Sequence, residues 1–128
     1  MTNTLIQVFI SLFFTILFLQ SGLDKFFDWK GNLEFHTEHF SKTLLKNFTI
    51  PMLLLLASME TVCGAACSVG AVYILAKSDS TISFYGVSLA AIILLMLFFG
   101  QRVSKDYRGA ATLVPYFILS ILGLFFLQ

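Results

Sequence analysis

One acidic residue, Glu60, lies inside an apolar stretch, residues 50–76, that has no other charged residue. In a helix that rises about 1.5 Å per residue, Glu60 lies roughly 14 Å from Pro51, near the middle of a hydrocarbon layer about 30 Å thick. A carboxyl group at that depth costs on the order of a few kcal/mol unless it is protonated, paired or hydrated. We therefore expect neighbouring helices to shelter Glu60, which is also the candidate catalytic proton acceptor.

Two thiols share this stretch, because Cys63 and Cys67 lie on the same helical face as Glu60. A redox pair is one interpretation. However, side chains four residues apart on a helix have Cβ atoms about 5–6 Å apart, whereas a disulfide needs roughly 3.5–4.5 Å. Apolar surroundings also leave a thiol unreactive. The favoured interpretation is that both cysteines are small packing residues, with redox thiols as the alternative.

The elements that must position Glu60 are helices that cross a membrane. The 128 residues are 58% hydrophobic and 12% charged, whereas soluble domains have about 25% charged residues. Four apolar runs are each near the roughly 20 residues of a helical span, and only helices satisfy the backbone of such runs in lipid. We predict one all-α domain over residues 1–128, an integral-membrane antiparallel four-helix bundle with a retained first span. The predicted spans are residues 4–23, 50–76, 82–100 and 110–127.

The long connection between the first two spans has a helical apolar period. We predict an amphipathic interfacial helix over residues 32–48, with an apolar face made by Leu33, Thr37, Phe40, Leu44 and Phe48. His36 and His39 lie three residues apart in this segment and could form half of a metal site. No further ligand cluster accompanies them, so two histidines on a hydrated face are the favoured interpretation and no resident metal is expected.

Further polar and small residues could line a pocket with Glu60. Gln7, Ser11 and Thr15 form one stripe on the first span, which either faces Glu60 or makes ordinary interhelical and local backbone hydrogen bonds. Tyr116 is a candidate partner for the Glu60 carboxyl group, because a buried tyrosine hydroxyl needs a hydrogen bond. Small residues such as Gly64 either let helices approach closely or leave room for a flat hydrophobic ligand.

Basic residues are distributed unevenly between the connections. Only Lys77 lies in the second connection, and the first and third contain the other seven: Lys25, Lys30, Lys42, Lys46, Arg102, Lys105 and Arg108. The positive-inside rule then places the first and third connections in the cytoplasm and both termini outside. On that side, Lys25, Arg102 and Arg108 would form a basic rim above Glu60, as in a pocket for a ligand with a polar head.

A set of short motifs resembles the DoxX family of small four-helix membrane proteins, with its DoxD and MauE-type relatives. The motifs are Ser21-Gly22-x-x-Lys25, Pro51, and Glu60-x-x-x-Gly64 followed by Gly70. The resemblance implies a bundle in the bacterial inner membrane that belongs to a membrane redox system. Namesake proteins are small subunits of a quinone-linked sulfur-oxidising enzyme, and MauE-type relatives assist maturation of a periplasmic dehydrogenase.

Three functions remain open at this point. The favoured one is a non-catalytic subunit, or an assembly or anchoring factor, of a membrane redox or envelope complex. The second is a quinone-binding oxidoreductase subunit, with Glu60 under the Lys25, Arg102 and Arg108 rim. The third is a small protein that handles lipid or solute.

The expected partners follow from the same composition. The sequence has no haem-ligand histidine within a span and no nucleotide or flavin motif, so catalysis by the chain alone is not expected, and quinone is the one cofactor under consideration. The expected partners are membrane lipids and other membrane or envelope subunits, with homo-oligomers left open. Nucleic acid is not expected, because no basic run is present.

Overall fold

The computed structural model describes residues 2–128, and of residue 2 the backbone only. Over this range the chain forms five α-helices and one short 3₁₀ turn, Lys46–Phe48. The helices are α1 (Thr2–Phe27), α2 (Trp29–His39), α3 (Thr49–Lys77), α4 (Thr81–Val103) and α5 (Tyr107–Leu127).

Four of these helices, α1, α3, α4 and α5, are long and apolar enough to cross a membrane. The prediction of an all-helical chain with four candidate spans is therefore confirmed. Each helix extends beyond its predicted apolar run, most clearly α1, which continues to Phe27 instead of ending near residue 23. The helices are longer than the apolar runs because backbone hydrogen bonds continue past the apolar side chains that define a span in the sequence.

Helix α3 has the central position. It packs against α1 on one side and α4 on another, while α5 packs mainly on α4 and contacts α1 less extensively. Two glycines of α3 allow the close approach. A Cβ atom at Gly64 would lie 2.6 Å from the backbone nitrogen of Leu19 in α1, and one at Gly70 would lie 2.6 Å from the backbone nitrogen of Ser83 in α4. Small residues at such crossings are typical of helix packing in lipid.

The connection between α1 and α3 differs from the prediction. A helix over residues 32–48 is wrong, because α2 ends at His39 and turns follow it. Local side-chain hydrogen bonds explain the ending: the Ser41 hydroxyl donates to the Glu38 carbonyl oxygen at 2.8 Å, and the Thr43 hydroxyl donates to that of Phe40 at 2.9 Å. Such bonds compete with the helical ladder.

The predicted apolar face of this connection is also discontinuous. Phe40 is buried, at 8% exposure, whereas Leu44 is 91% exposed and Phe48 is 56% exposed. Of these three apolar side chains, only Phe40 is buried against the rest of the molecule.

Candidate functional site

A buried ion pair joins α1 to α3. The Lys25 Nζ atom lies 3.1 Å from Glu60 Oε1 and 3.2 Å from Glu60 Oε2. Glu60 is 1% exposed and Lys25 is 8% exposed. No second ion pair occurs within residues 2–128. The carboxyl group in the middle of α3 is thus sheltered by a lysine from the end of α1, one of the three cations named above.

The local sequence of α1 prepares Lys25 for this contact. Ser21 lies one turn earlier, and its hydroxyl accepts a hydrogen bond from Lys25 Nζ at 2.8 Å. Gly22 lies between them at the α3 surface, where a Cβ atom would lie 2.7 Å from the backbone nitrogen of Thr61. The lysine is therefore held on two sides. Glu60 Oε1 is held by charge alone, since it has no hydrogen-bond partner in the described part of the chain.

A cavity of about 420 Å³ lies between α2, the turn segment after it, α3 and α4. Its walls are mostly aliphatic and aromatic, and its polar side chains come from His36, His39, Thr49 and Gln101. Four wall residues are more than half exposed on the outside of the molecule, namely Phe35, Leu55, Leu95 and Phe99. The cavity therefore suits a largely apolar molecule with a few polar atoms, and it reaches the surface between α3 and α4.

His36 lines the cavity and lies near the ion pair. Its Nδ1 atom lies 2.8 Å from the backbone carbonyl oxygen of Asn32. Burial is the main cause that lowers the His36 pKa below its ordinary value, and the charges of Lys25 and His39 lower it further. The Asn32 hydrogen bond and the Glu60 charge act in the opposite direction without reversing the shift. His36 is therefore neutral at pH 7, within electrostatic range of both members of the pair.

His39 links the end of α2 to the end of α4. Its Nε2 atom lies 2.9 Å from Gln101 Oε1 and 3.0 Å from Ser104 Oγ. The ring also stacks on Phe35, with centroids 5.5 Å apart. Both histidines line the cavity. Among the described residues, no group of three or more His, Cys, Asp or Glu side chains could hold a metal ion.

The polar stripe of α1 makes packing contacts. Gln7 donates to a carbonyl oxygen near the end of α5 at 2.8 Å, and Ser11 donates to Ser83 Oγ of α4 at 2.8 Å. Thr15 donates to the carbonyl oxygen one turn before it. The stripe therefore makes interhelical and local backbone hydrogen bonds, as in the second of the two interpretations, and none of its three side chains is hydrogen-bonded to Glu60.

The remaining predicted pocket residues lie apart from one another. Arg102 and Arg108 are exposed, and the Arg102 guanidinium lies over the Tyr107 ring, 4.7 Å from its centroid. Tyr116 lines a separate groove between α1 and α5, with its ring 6.0 Å from that of Phe13. The structure therefore brings together Lys25 and Glu60, and does not gather the two arginines, Tyr116 or Thr15 around them. Gly64 lies one turn after Glu60 and serves the close contact with Leu19 of α1.

The two cysteines are free and fully buried against α4. Cys63 Sγ donates to the carbonyl oxygen of Gly86 at 3.2 Å, and a Cβ atom at Gly86 would lie 2.9 Å from Cys67 Sγ. Their small volume permits the close packing of α3 on α4.

Sequence reasoning missed the cavity and the part that Gln101 has in it. The available signals were the polar residue that follows the third span, Gln101, and the two adjacent Phe and His pairs in the first connection, Phe35-His36 and His39-Phe40. Comparisons with protein-family models, curated proteins and solved structures found no match to this chain. The DoxX resemblance stays a prediction from short motifs.

Proposed function

We propose that this chain is a multi-pass subunit of the bacterial inner membrane that binds a quinone-class molecule in the cavity beside α2. In this proposal the four spans form an antiparallel bundle, and α2 lies at the membrane interface. The observation that carries it is the cavity of about 420 Å³, with apolar walls and two histidines at its polar part. Its size falls within the roughly 300–1,000 Å³ of ordinary ligand pockets.

The composition of the walls supports a lipid-soluble ligand with a small polar head. His36, His39 and Gln101 offer hydrogen-bonding atoms to such a head. The exposed wall residues Leu55 and Leu95 leave a path by which an apolar tail reaches the bilayer. A phosphate-bearing head would bring a charge that the neutral His36 ring and the aliphatic walls do not compensate. The resemblance to quinone-linked membrane proteins points to the same class of ligand.

The Lys25–Glu60 pair connects two helices close to the cavity. It ties α1 to α3 and sets the charges beside His36, but neither residue lines the cavity. The sequence offers no haem, flavin or nucleotide motif, so electrons would come from another protein. As a subunit, the chain would anchor or help to assemble that redox partner without catalysing the reaction alone.

The charge distribution supports a cytoplasmic position for the cavity end. Lys42 and Lys46 lie in the turns after α2, and Arg102 lies at the end of α4. The turn between α3 and α4 follows Lys77, the one basic residue at the other end of the bundle. By the positive-inside rule, both termini would then lie outside.

Ligand-dependent stabilisation tests this function. Short-chain ubiquinone and menaquinone analogues are added to the chain purified in mild detergent, and the melting temperature is measured. A ligand at about 100 times its Kd adds about 2.7 kcal/mol to the free energy of unfolding, which raises the melting temperature by several degrees. Met52→Trp should fill the cavity and remove the shift. Leu122→Trp, at an exposed position on α5, should retain it.

Two results would count against the proposal. One is the absence of any quinone-dependent shift in the folded parent. The other is an equal shift with saturated fatty acids of matched length, which would favour the lipid-handling function.

A further inference from the structure

The hydrogen bond of His36 fixes which of its ring nitrogens carries the hydrogen. Nδ1 lies 2.8 Å from the Asn32 carbonyl oxygen. A carbonyl oxygen only accepts hydrogen bonds, so Nδ1 is the donor. In a neutral ring the other nitrogen, Nε2, then has a lone pair and accepts. The contacts within residues 2–128 give Nε2 no partner.

The surroundings of His36 keep it in this neutral form. The charged and titratable groups that act on it are Lys25 of α1, His39 of its own helix and Glu60 of α3. Burial, followed by Lys25 and His39, lowers the His36 pKa, and Glu60 opposes the shift. The cavity is thus lined by a histidine that offers an acceptor and no free donor at neutral pH.

Given the quinone-class function proposed above, we propose that the cavity prefers the reduced, hydroxyl-bearing form of its ligand. A hydroquinone hydroxyl donates to the His36 Nε2 lone pair. A quinone carbonyl has only lone pairs and would meet another lone pair there, leaving both acceptors unpaired in an apolar cavity. The site is therefore one for quinol, the product of quinone reduction and the substrate of an enzyme that oxidises quinol.

Three compounds with the same ring separate hydrogen bonding from shape: a short-chain hydroquinone, its quinone, and the dimethyl ether of the hydroquinone, which has no hydroxyl. Their Kd values are measured anaerobically on the purified chain. At pH 7.5 the hydroquinone should bind about tenfold more tightly than the other two, since a buried acceptor without a partner costs on that order.

A variant and a pH series test the role of His36. His36→Phe should equalise the three Kd values, while Thr37→Val, at an exposed position on the same helix, should leave the preference intact. The pH series uses the unaltered chain and so does not depend on the variant folding. As pH falls through the lowered His36 pKa, Nε2 gains a proton and becomes a donor. The hydroquinone preference should then disappear. The ligand itself does not titrate in this pH range, because a phenolic hydroxyl has a pKa near 10, so the change would come from the protein.

The outcomes separate this inference from the function on which it rests. Equal binding of hydroquinone and quinone in the parent, or tighter binding of the quinone, would overturn the inference and leave the quinone-class function standing. A preference that persists in His36→Phe would overturn the assignment to His36. Failure of all three compounds to bind the folded parent would overturn the proposed function itself.

Discussion

At the scale of single residues, the Lys25–Glu60 pair is the feature with the largest energetic consequences. Both charges are removed from solvent, and the two side chains come from different helices. A buried ion pair is not necessarily stabilising in total, because desolvation offsets the attraction. Removal of one partner is costly in every case, since the other charge stays buried without compensation.

We expect Lys25→Met and Glu60→Gln each to lower the free energy of unfolding by about 3–5 kcal/mol. The double variant Lys25→Met, Glu60→Met should recover most of the loss, because it leaves no buried charge. Unfolding in one detergent, followed by circular dichroism, measures all of them. Lys30→Met removes an exposed lysine and is the matched control. Single variants as stable as the parent would contradict a buried ion pair between Lys25 and Glu60.

At the scale of elements, the small residues of α3 allow its close packing on two neighbouring helices. Gly64 faces α1, while Gly70, Cys63 and Cys67 face α4. These contacts place the backbone of α3 close to both neighbours and bring Glu60 within reach of α1. The short helix α2 packs less extensively, on α3 and α1, and the His39–Gln101 hydrogen bond ties its end to α4.

We expect Gly70→Val to destabilise the chain strongly, because a Cβ atom there would overlap the Ser83 side chain and lie 2.6 Å from its backbone nitrogen. Overpacking of this kind costs about 1–3 kcal/mol or more. Gly100→Ala is the control, since its Cβ atom would lie 3.4 Å from the Phe40 ring, an ordinary contact. Melting temperatures of both variants in the same detergent provide the comparison. Equal values would contradict the close crossing of α3 and α4.

At the scale of the whole molecule, the distribution of basic residues gives the proposed bundle its two ends. The turns after α2 and α4 contain Lys42, Lys46 and Lys105, and the turn after α3 contains Ser78, Asp79 and Ser80. If the bundle crosses the inner membrane as proposed, these two sets of turns lie in different compartments.

Cysteine labelling tests this orientation. In a chain whose own thiols are replaced by Cys63→Ala and Cys67→Ala, Asp79→Cys should react with a membrane-impermeant maleimide added to intact spheroplasts. Lys42→Cys should react only after the membrane is opened. The native thiols are fully buried, so the parent chain should give little background in either condition. The reverse pattern would place the cavity end outside.

The sequence by itself determined the number and the approximate extent of the spans. These depend on runs of about 20 apolar residues and on the need to satisfy each backbone group in lipid, both of which are local properties. It also showed that Glu60 needs shelter. It did not locate the end of α2, where Ser41 and Thr43 hydroxyl groups compete with the helical ladder over a few residues.

Only the tertiary structure decided which group shelters Glu60 and where a ligand would fit. Lys25, Arg102, Arg108 and Tyr116 were all compatible with the sequence, because hydrophobic periodicity does not specify how far one helix is rotated or shifted against another. The approach of α1 to α3 at Gly22 and Gly64 fixes that relation and selects Lys25. The cavity has the same origin, since it is the space left between α2, α3 and α4 once those close contacts are made.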